Sequence, residues 1–178
     1  MHLSDSAFDK APPAGHAGIA LKRVLFVCTG NTCRSPLAEV LFRELTQGRD
    51  DYQVGSAGVG AFSGQPASRF SQELARERGL DLTGHRSRAV TVDLVDDATH
   101  IFAMSRGHLA DLLEDYPVAE DKVYLVSEFA AEDALRGRDL SDPFGGGLED
   151  YHDTLSRLER LLPSVFNYIE QTSKPADS

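Results

Sequence analysis

Apolar positions along this chain fall into short runs alternating with helical stripes. Between Lys22 and Val27 a run rich in valine and phenylalanine reads as a buried strand, and it ends abruptly in the polar stretch Cys28-Thr29-Gly30-Asn31. Ser35-Pro36 opens the next segment, with Leu37, Val40, Leu41 and Leu45 on one face. Proline suits a first helical position, where its missing N–H costs nothing, so the pattern predicts a helix over 36–46. Further strands are predicted over 52–56, 99–104 and 122–126, with helical patterns over 67–78 and 106–115. A last stripe, Leu148, Tyr151, Leu155, Leu158, Leu162, Val165 and Ile169, predicts a long amphipathic helix kinked at Pro163. Strands that alternate with helices and are apolar on both faces argue for an α/β fold, a parallel sheet covered by helices on each side. Ligands in such sheets bind beyond the carboxyl ends of the strands.

The chain has 178 residues, 41% of them hydrophobic, enough for one domain with its own core. Residues 1–20 read as a flexible N-terminal extension, 21–171 as a single domain and 172–178 as a polar tail. A net charge of −10 argues against nucleic acid and anionic lipid as partners. No apolar run approaches the ~20 residues of a membrane helix, so no membrane association is expected. The cysteines, Cys28 and Cys33, are too few and too close for a secreted disulfide framework. A cytoplasmic monomer is the expectation.

Chemistry concentrates where the first strand meets the first helix. In Cys28-Thr29-Gly30-Asn31-Thr32-Cys33-Arg34-Ser35, Gly30 and Asn31 tolerate positive φ, so successive backbone N–H groups can turn inward as an anion nest. The helix beginning near Pro36 adds the positive end of its dipole. Arg34 offers a planar fork that takes two phosphoryl oxygens at once. The same positive surroundings stabilise a thiolate on Cys28 and make it a nucleophile. Cys33 reads either as a small packing residue or as a redox partner for Cys28.

A thiolate cannot protonate the group it displaces, so a general acid is needed, and Asp142 is the candidate. It lies in Ser141-Asp142-Pro143-Phe144-Gly145-Gly146-Gly147, where proline fixes the chain direction and Phe144 can line a pocket wall.

Taken together, the Cys28–Pro36 loop and the distant Asp142-Pro143-Phe144 motif resemble the low-molecular-weight protein-tyrosine phosphatase family, over about residues 22–171. The resemblance implies a three-layer sandwich with a central four-stranded parallel sheet. It implies Cys28 as nucleophile, Arg34 as transition-state ligand, Ser35 as hydroxyl donor to the thiolate and Asp142 as acid. The phosphate would be bound by Thr29, Gly30, Asn31, Thr32, Cys33, Arg34 and Ser35. Ser56 and His85 resemble supporting residues that hydrogen-bond Asn31. The reaction would be two in-line displacements through a cysteinyl phosphate, with no cofactor and no metal, on phosphorylated proteins. His100 and His108 read as ordinary strand and helix residues.

Family members that act on tyrosine usually carry an apolar β-branched residue where Thr32 stands. The chain is similar to a bacterial subgroup, the protein-arginine phosphatases, in its C-T-G-N-T-C-R-S loop and Asp-Pro-Phe-Gly-Gly motif. A threonine oxygen can accept from a guanidinium N–H, whereas valine or isoleucine would pad a phenyl ring. Thr32 and Phe144 are therefore the expected specificity positions, with phosphoarginine favoured over phosphotyrosine. A non-catalytic phosphate-binding module is the alternative from another class. Arsenate reduction is disfavoured because it relays through further cysteines.

Overall fold

The structure, a computed structural model, describes Phe8 and residues 20–173. Its strands are β1 (Lys22–Cys28), β2 (Tyr52–Gly58), β3 (His100–Ala103) and β4 (Val123–Leu125), all parallel and ordered β2-β1-β3-β4. Its helices are α1 (Arg34–Leu45), α2 (Arg69–Glu77), α3 (Val92–Asp97), α4 (Arg106–Asp115) and α5 (Leu148–Thr172), with a 3-10 turn over Pro117–Lys122. The expected four-stranded parallel sheet between helical layers is what is observed.

Side chains alternate across β1 with a period of two. Val24, Phe26 and Cys28 face a core shared with Leu37, Phe42, Leu74, Leu155 and Leu158 of α1, α2 and α5. Leu25 and Val27 face the other layer, with Leu94 and Val95 of α3 and Leu112 of α4. Phe26 meets Phe42 edge-on at 5.4 Å between ring centroids, which locks α1 against the strand that ends at the candidate nucleophile.

Several predicted boundaries move. The helix expected over 36–46 begins at Arg34, so the arginine of the loop is already helical. β2 runs on to Gly58, past the predicted end at Ser56, because its residues pair with β1 as far as Cys28 opposite Gly58. The short helix α3 and the 3-10 turn were not predicted. α5 continues through the exposed Pro163 to Thr172. Of the predicted N-terminal extension, Phe8 is 5% exposed and packs in the cluster with Leu25 and Val27. Residues 1–7 and 9–19 of that extension, and 174–178 of the predicted tail, lie outside the described residues. No described helix is long and apolar enough to cross a membrane.

At the amino ends of β1 and β2, away from the loop, a charged network ties in the last helix. Lys22 Nζ lies 2.9 Å from Asp51 and 2.6 Å from Glu170 of α5, and Tyr52 donates to Glu170 at 2.6 Å. Lys22 and Arg49 hold the Asp51 carboxyl far below its usual range, Arg49 most strongly.

Candidate active site

β1 delivers Cys28 to the carboxyl edge of the sheet, and the chain curls through Thr29–Cys33 before α1 begins. Asn31 makes the curl possible. Its φ is 54°, the only positive φ of a non-glycine residue among those described. Gly30 does not use the positive φ it was expected to offer.

Asn31 is fully buried and its side chain is saturated. Nδ2 donates to Ser35 Oγ and to Ser56 Oγ, both at 2.9 Å, and Oδ1 accepts from the Arg88 backbone N–H at 3.0 Å. His85 Nε2 lies 2.7 Å from the Asn31 carbonyl, which can only accept, so this nitrogen carries the proton. Burial lowers the pKa of His85, an effect the bond to Asn31 only partly opposes. Ser56 in turn donates to Glu39. Ser56 and His85 therefore stand where the resemblance put them. The contributions of Arg88 N and Glu39 were not foreseen.

Gly58 explains how β2 fits beside the loop. A Cβ there would sit 2.4 Å from the Thr29 carbonyl oxygen and 3.0 Å from Asn31 N, so only glycine permits this approach of backbone to backbone.

The backbone N–H groups of Thr29 through Arg34 donate to no acceptor among the described residues. Cys33, at the N-cap of α1, likewise gives the helix no side-chain cap. Donors left unsatisfied at a helix start, joined to a curled loop, form an anion site. Within it, Cys28 Sγ lies 3.0 Å from Ser35 Oγ. Ser35 Oγ accepts from Asn31, and its one proton can go to the sulfur at 3.0 Å or to the Ala57 carbonyl at 3.4 Å.

Arg34 is 5% exposed. Its Nη1 donates to the Leu140 carbonyl at 3.0 Å, while Nε is buried without a partner. A buried guanidinium N–H left open is costly unless a ligand takes it. Asp142 Oδ2 lies 3.2 Å from Arg34 Nη2, and its Oδ1 accepts from Phe144 N at 3.1 Å. The segment carrying Asp142 is pinned just ahead of it, where Leu140 N donates to the Met104 carbonyl at 2.9 Å. Ser127 Oγ also donates to the Arg138 carbonyl at 2.6 Å.

Cys28, Arg34 and Asp142 line one cleft of about 280 Å³ with Thr29, Thr32 and Cys33. Phe144 and Phe62 also line it and are 77% and 83% exposed. Phe62 comes from the loop after β2, and nothing in its sequence surroundings marks it. Thr32 is half-buried, its hydroxyl meeting only Cys33 Sγ, at 3.7 Å, among the described residues. Cys33 Sγ also lies 3.3 Å from the hydroxyl of Tyr151 on α5, whose pKa burial and that contact push up to about 12. Both cysteines are buried free thiols.

The low molecular weight phosphotyrosine protein phosphatase family model matches residues 23–174. The chain is 39% identical over 148 residues to the protein-arginine-phosphatase of Geobacillus stearothermophilus, covering 83% of this chain and 96% of that protein. It is 34% identical over 147 residues to the low molecular weight protein-tyrosine-phosphatase PtpB of Staphylococcus aureus, covering 83% and 99%. A solved structure of the YwlE arginine phosphatase with a phosphorylated active-site serine superposes with a TM-score of 0.78. It is 32% identical, and the match covers 84% of this chain and 97% of that one.

Proposed function

The chain belongs to the low molecular weight phosphotyrosine protein phosphatase family, and from that membership we propose that it hydrolyses phosphoarginine in proteins through a phosphorylated Cys28. The observation that carries the reading is the ring of unsatisfied donors, loop N–H groups and Arg34 Nε, gathered about one cysteine sulfur.

The phosphoryl oxygens take the loop N–H groups and the Arg34 fork, where donors already aimed at developing charge need no reorganisation. Taking Arg34 displaces its contact with Asp142 and frees that carboxyl for the leaving group. Cys28 sulfur forms a bond to phosphorus while the phosphorus–nitrogen bond of phosphoarginine breaks, and Asp142 passes its proton to the departing guanidine nitrogen. Water then attacks phosphorus, Asp142 takes a proton from it, and the sulfur–phosphorus bond breaks to release phosphate. Ser35, its oxygen engaged by Asn31, donates to the sulfur as it departs as a thiolate.

Preference for arginine rests on Thr32. Its hydroxyl lines the cleft with only a weak sulfur contact, so its oxygen is available to a guanidinium N–H. The named activity of the Geobacillus relative supports the same reading. Phe62 and Phe144 supply the apolar walls above it. Replacing Thr32 by isoleucine is expected to lower kcat/KM on phosphoarginine peptides ~10-fold or more, the cost of leaving substrate donors unpaired, and to spare or raise it on phosphotyrosine peptides. An unchanged ratio of the two rates would remove Thr32 from specificity and return the substrate to phosphotyrosine.

Cys28 and Cys33 also form the redox pair of this proposal. Peroxide oxidises the Cys28 thiolate to a sulfenic acid, and the Cys33 thiol condenses with it, releasing water and forming a disulfide that a dithiol reduces. After a peroxide pulse, dithiothreitol is expected to restore most activity to the native protein and little to Cys33→Ser. Equal recovery would confine Cys33 to packing against Tyr151.

A further inference from the structure

The mechanism leaves one buried histidine unused. His108 is 6% exposed on the first turn of α4, the helix layer that packs with Leu25 and Val27 rather than with α1 and α5. Sequence reading gave it only a helical role, yet its ring bridges to the phosphate loop. Nε2 lies 2.7 Å from Thr29 Oγ1 and Nδ1 lies 3.0 Å from Ser105 Oγ. Ser105 is the N-cap of α4, its oxygen accepting from the His108 backbone N–H at 3.3 Å. The ring is thus fixed by the cap of its own helix and presents its far nitrogen to the residue that follows Cys28.

Thr29 is held on its other side as well. Its carbonyl accepts from Gly60 N at 2.9 Å, at the end of β2, where Gly58 also presses close. The Thr29 N–H shares its peptide plane with the Cys28 carbonyl, which accepts from Val59 N at 3.0 Å. With that plane and the Thr29 carbonyl and side chain all held, the N–H, without an acceptor among the described residues, keeps one direction. We propose that His108 is a positioning residue: by gripping the Thr29 hydroxyl it keeps the first N–H of the loop aimed at the phosphoryl group. The inference rests on phosphoryl transfer at Cys28 and adds a support reaching the loop from a layer that the Asn31 network does not touch.

The charge of the ring suits this task. Burial, and then the nearby Arg34, bring the pKa of His108 down to about 4, against the opposing pull of Asp111, Asp142 and Asp139. At neutral pH the ring therefore offers one donor and one acceptor, and it sets no second cation beside Arg34.

The test is a mutant cycle on kcat/KM with an aryl phosphate, alongside melting temperatures. His108→Ala and Thr29→Val are each expected to lower kcat/KM about tenfold, the loss of one hydrogen bond acting on the transition state. The double variant is expected to fall no further, because both changes break the same link. His108→Gln, whose amide can reach Thr29, is expected to recover most of the loss. Effects that multiply in the double variant, or a lowered melting temperature with kcat/KM unchanged, would overturn the proposal and leave His108 as core packing. If His108→Ala does not fold, His108→Gln and Thr29→Val still decide it, since Thr29→Val alone must then reproduce the loss. A native protein inactive on both the aryl phosphate and a phosphoarginine peptide would instead overturn the phosphatase reading itself.

Discussion

Cys28→Ser is expected to abolish turnover of phosphoarginine and aryl phosphate alike. Removing the nucleophile of a hydrolase costs on the order of 10⁶ in kcat, about 8 kcal/mol of barrier. The loop should survive the change. Serine is smaller than cysteine, the site is buried, and the bonds of Asn31 to Ser35, Ser56 and Arg88 do not involve the sulfur. The variant should therefore still bind inorganic phosphate with nearly native affinity, which separates loss of chemistry from loss of the cradle. Acid quenching of the native protein with a good substrate should trap phosphate on Cys28, detected by mass on the peptide containing it. Turnover by Cys28→Ser within tenfold of native would mean that water is activated directly and that no covalent intermediate forms.

Asp142→Ala is expected to reduce turnover by ~10² to 10⁴, the usual contribution of a general acid. The loss should grow as the leaving group becomes harder to expel: small with an activated nitrophenyl ester, large with phosphoarginine or phosphotyrosine in a peptide. Asp142→Asn refines the test, because asparagine retains a carbonyl oxygen for Arg34 Nη2 and for the Phe144 N–H while carrying no proton to give. If Asn is as damaging as Ala, the proton is what matters; if Asn is near native, the residue serves to orient Arg34. Stability should hardly move in either variant, since a pair with one half-exposed partner contributes ~1 kcal/mol or less. A protein that only binds phosphate would show no turnover to lose, so the same measurement excludes that class.

What could be read from the sequence was what lies close along it. Cys28, Gly30, Asn31, Arg34 and Ser35 share one strand-to-helix connection, and the requirement for an anion nest follows from their order. The sheet was legible for the same reason, because β1 alternates its apolar residues between two layers. Asp142, over a hundred residues away, needed an argument from proton balance, while Ser56 and His85 needed the family resemblance. Arg88, Phe62 and His108 escaped because the strand order β2-β1-β3-β4 brings the segments after β2 and β3 to the loop, and no local spacing encodes that order. Glu39, on α1, escaped because its partner Ser56 reaches it only through the pairing of β2 with β1. α3, over Val92–Asp97, is too short to show a helical period. The N-terminal region was judged from its polar composition, which concealed that Phe8 had a place in the core.

The uncapped start of α1 carries a last implication. Its free donors answer to the shape and charge of a tetrahedral dianion and hold no information about what that dianion was once attached to. Inorganic phosphate, the product of the proposed reaction, fits the same donors as the phosphorylated protein, so it is expected to act as a competitive inhibitor. On the proposed reading, discrimination among substrates is left to the rim formed by Thr32, Phe62 and Phe144.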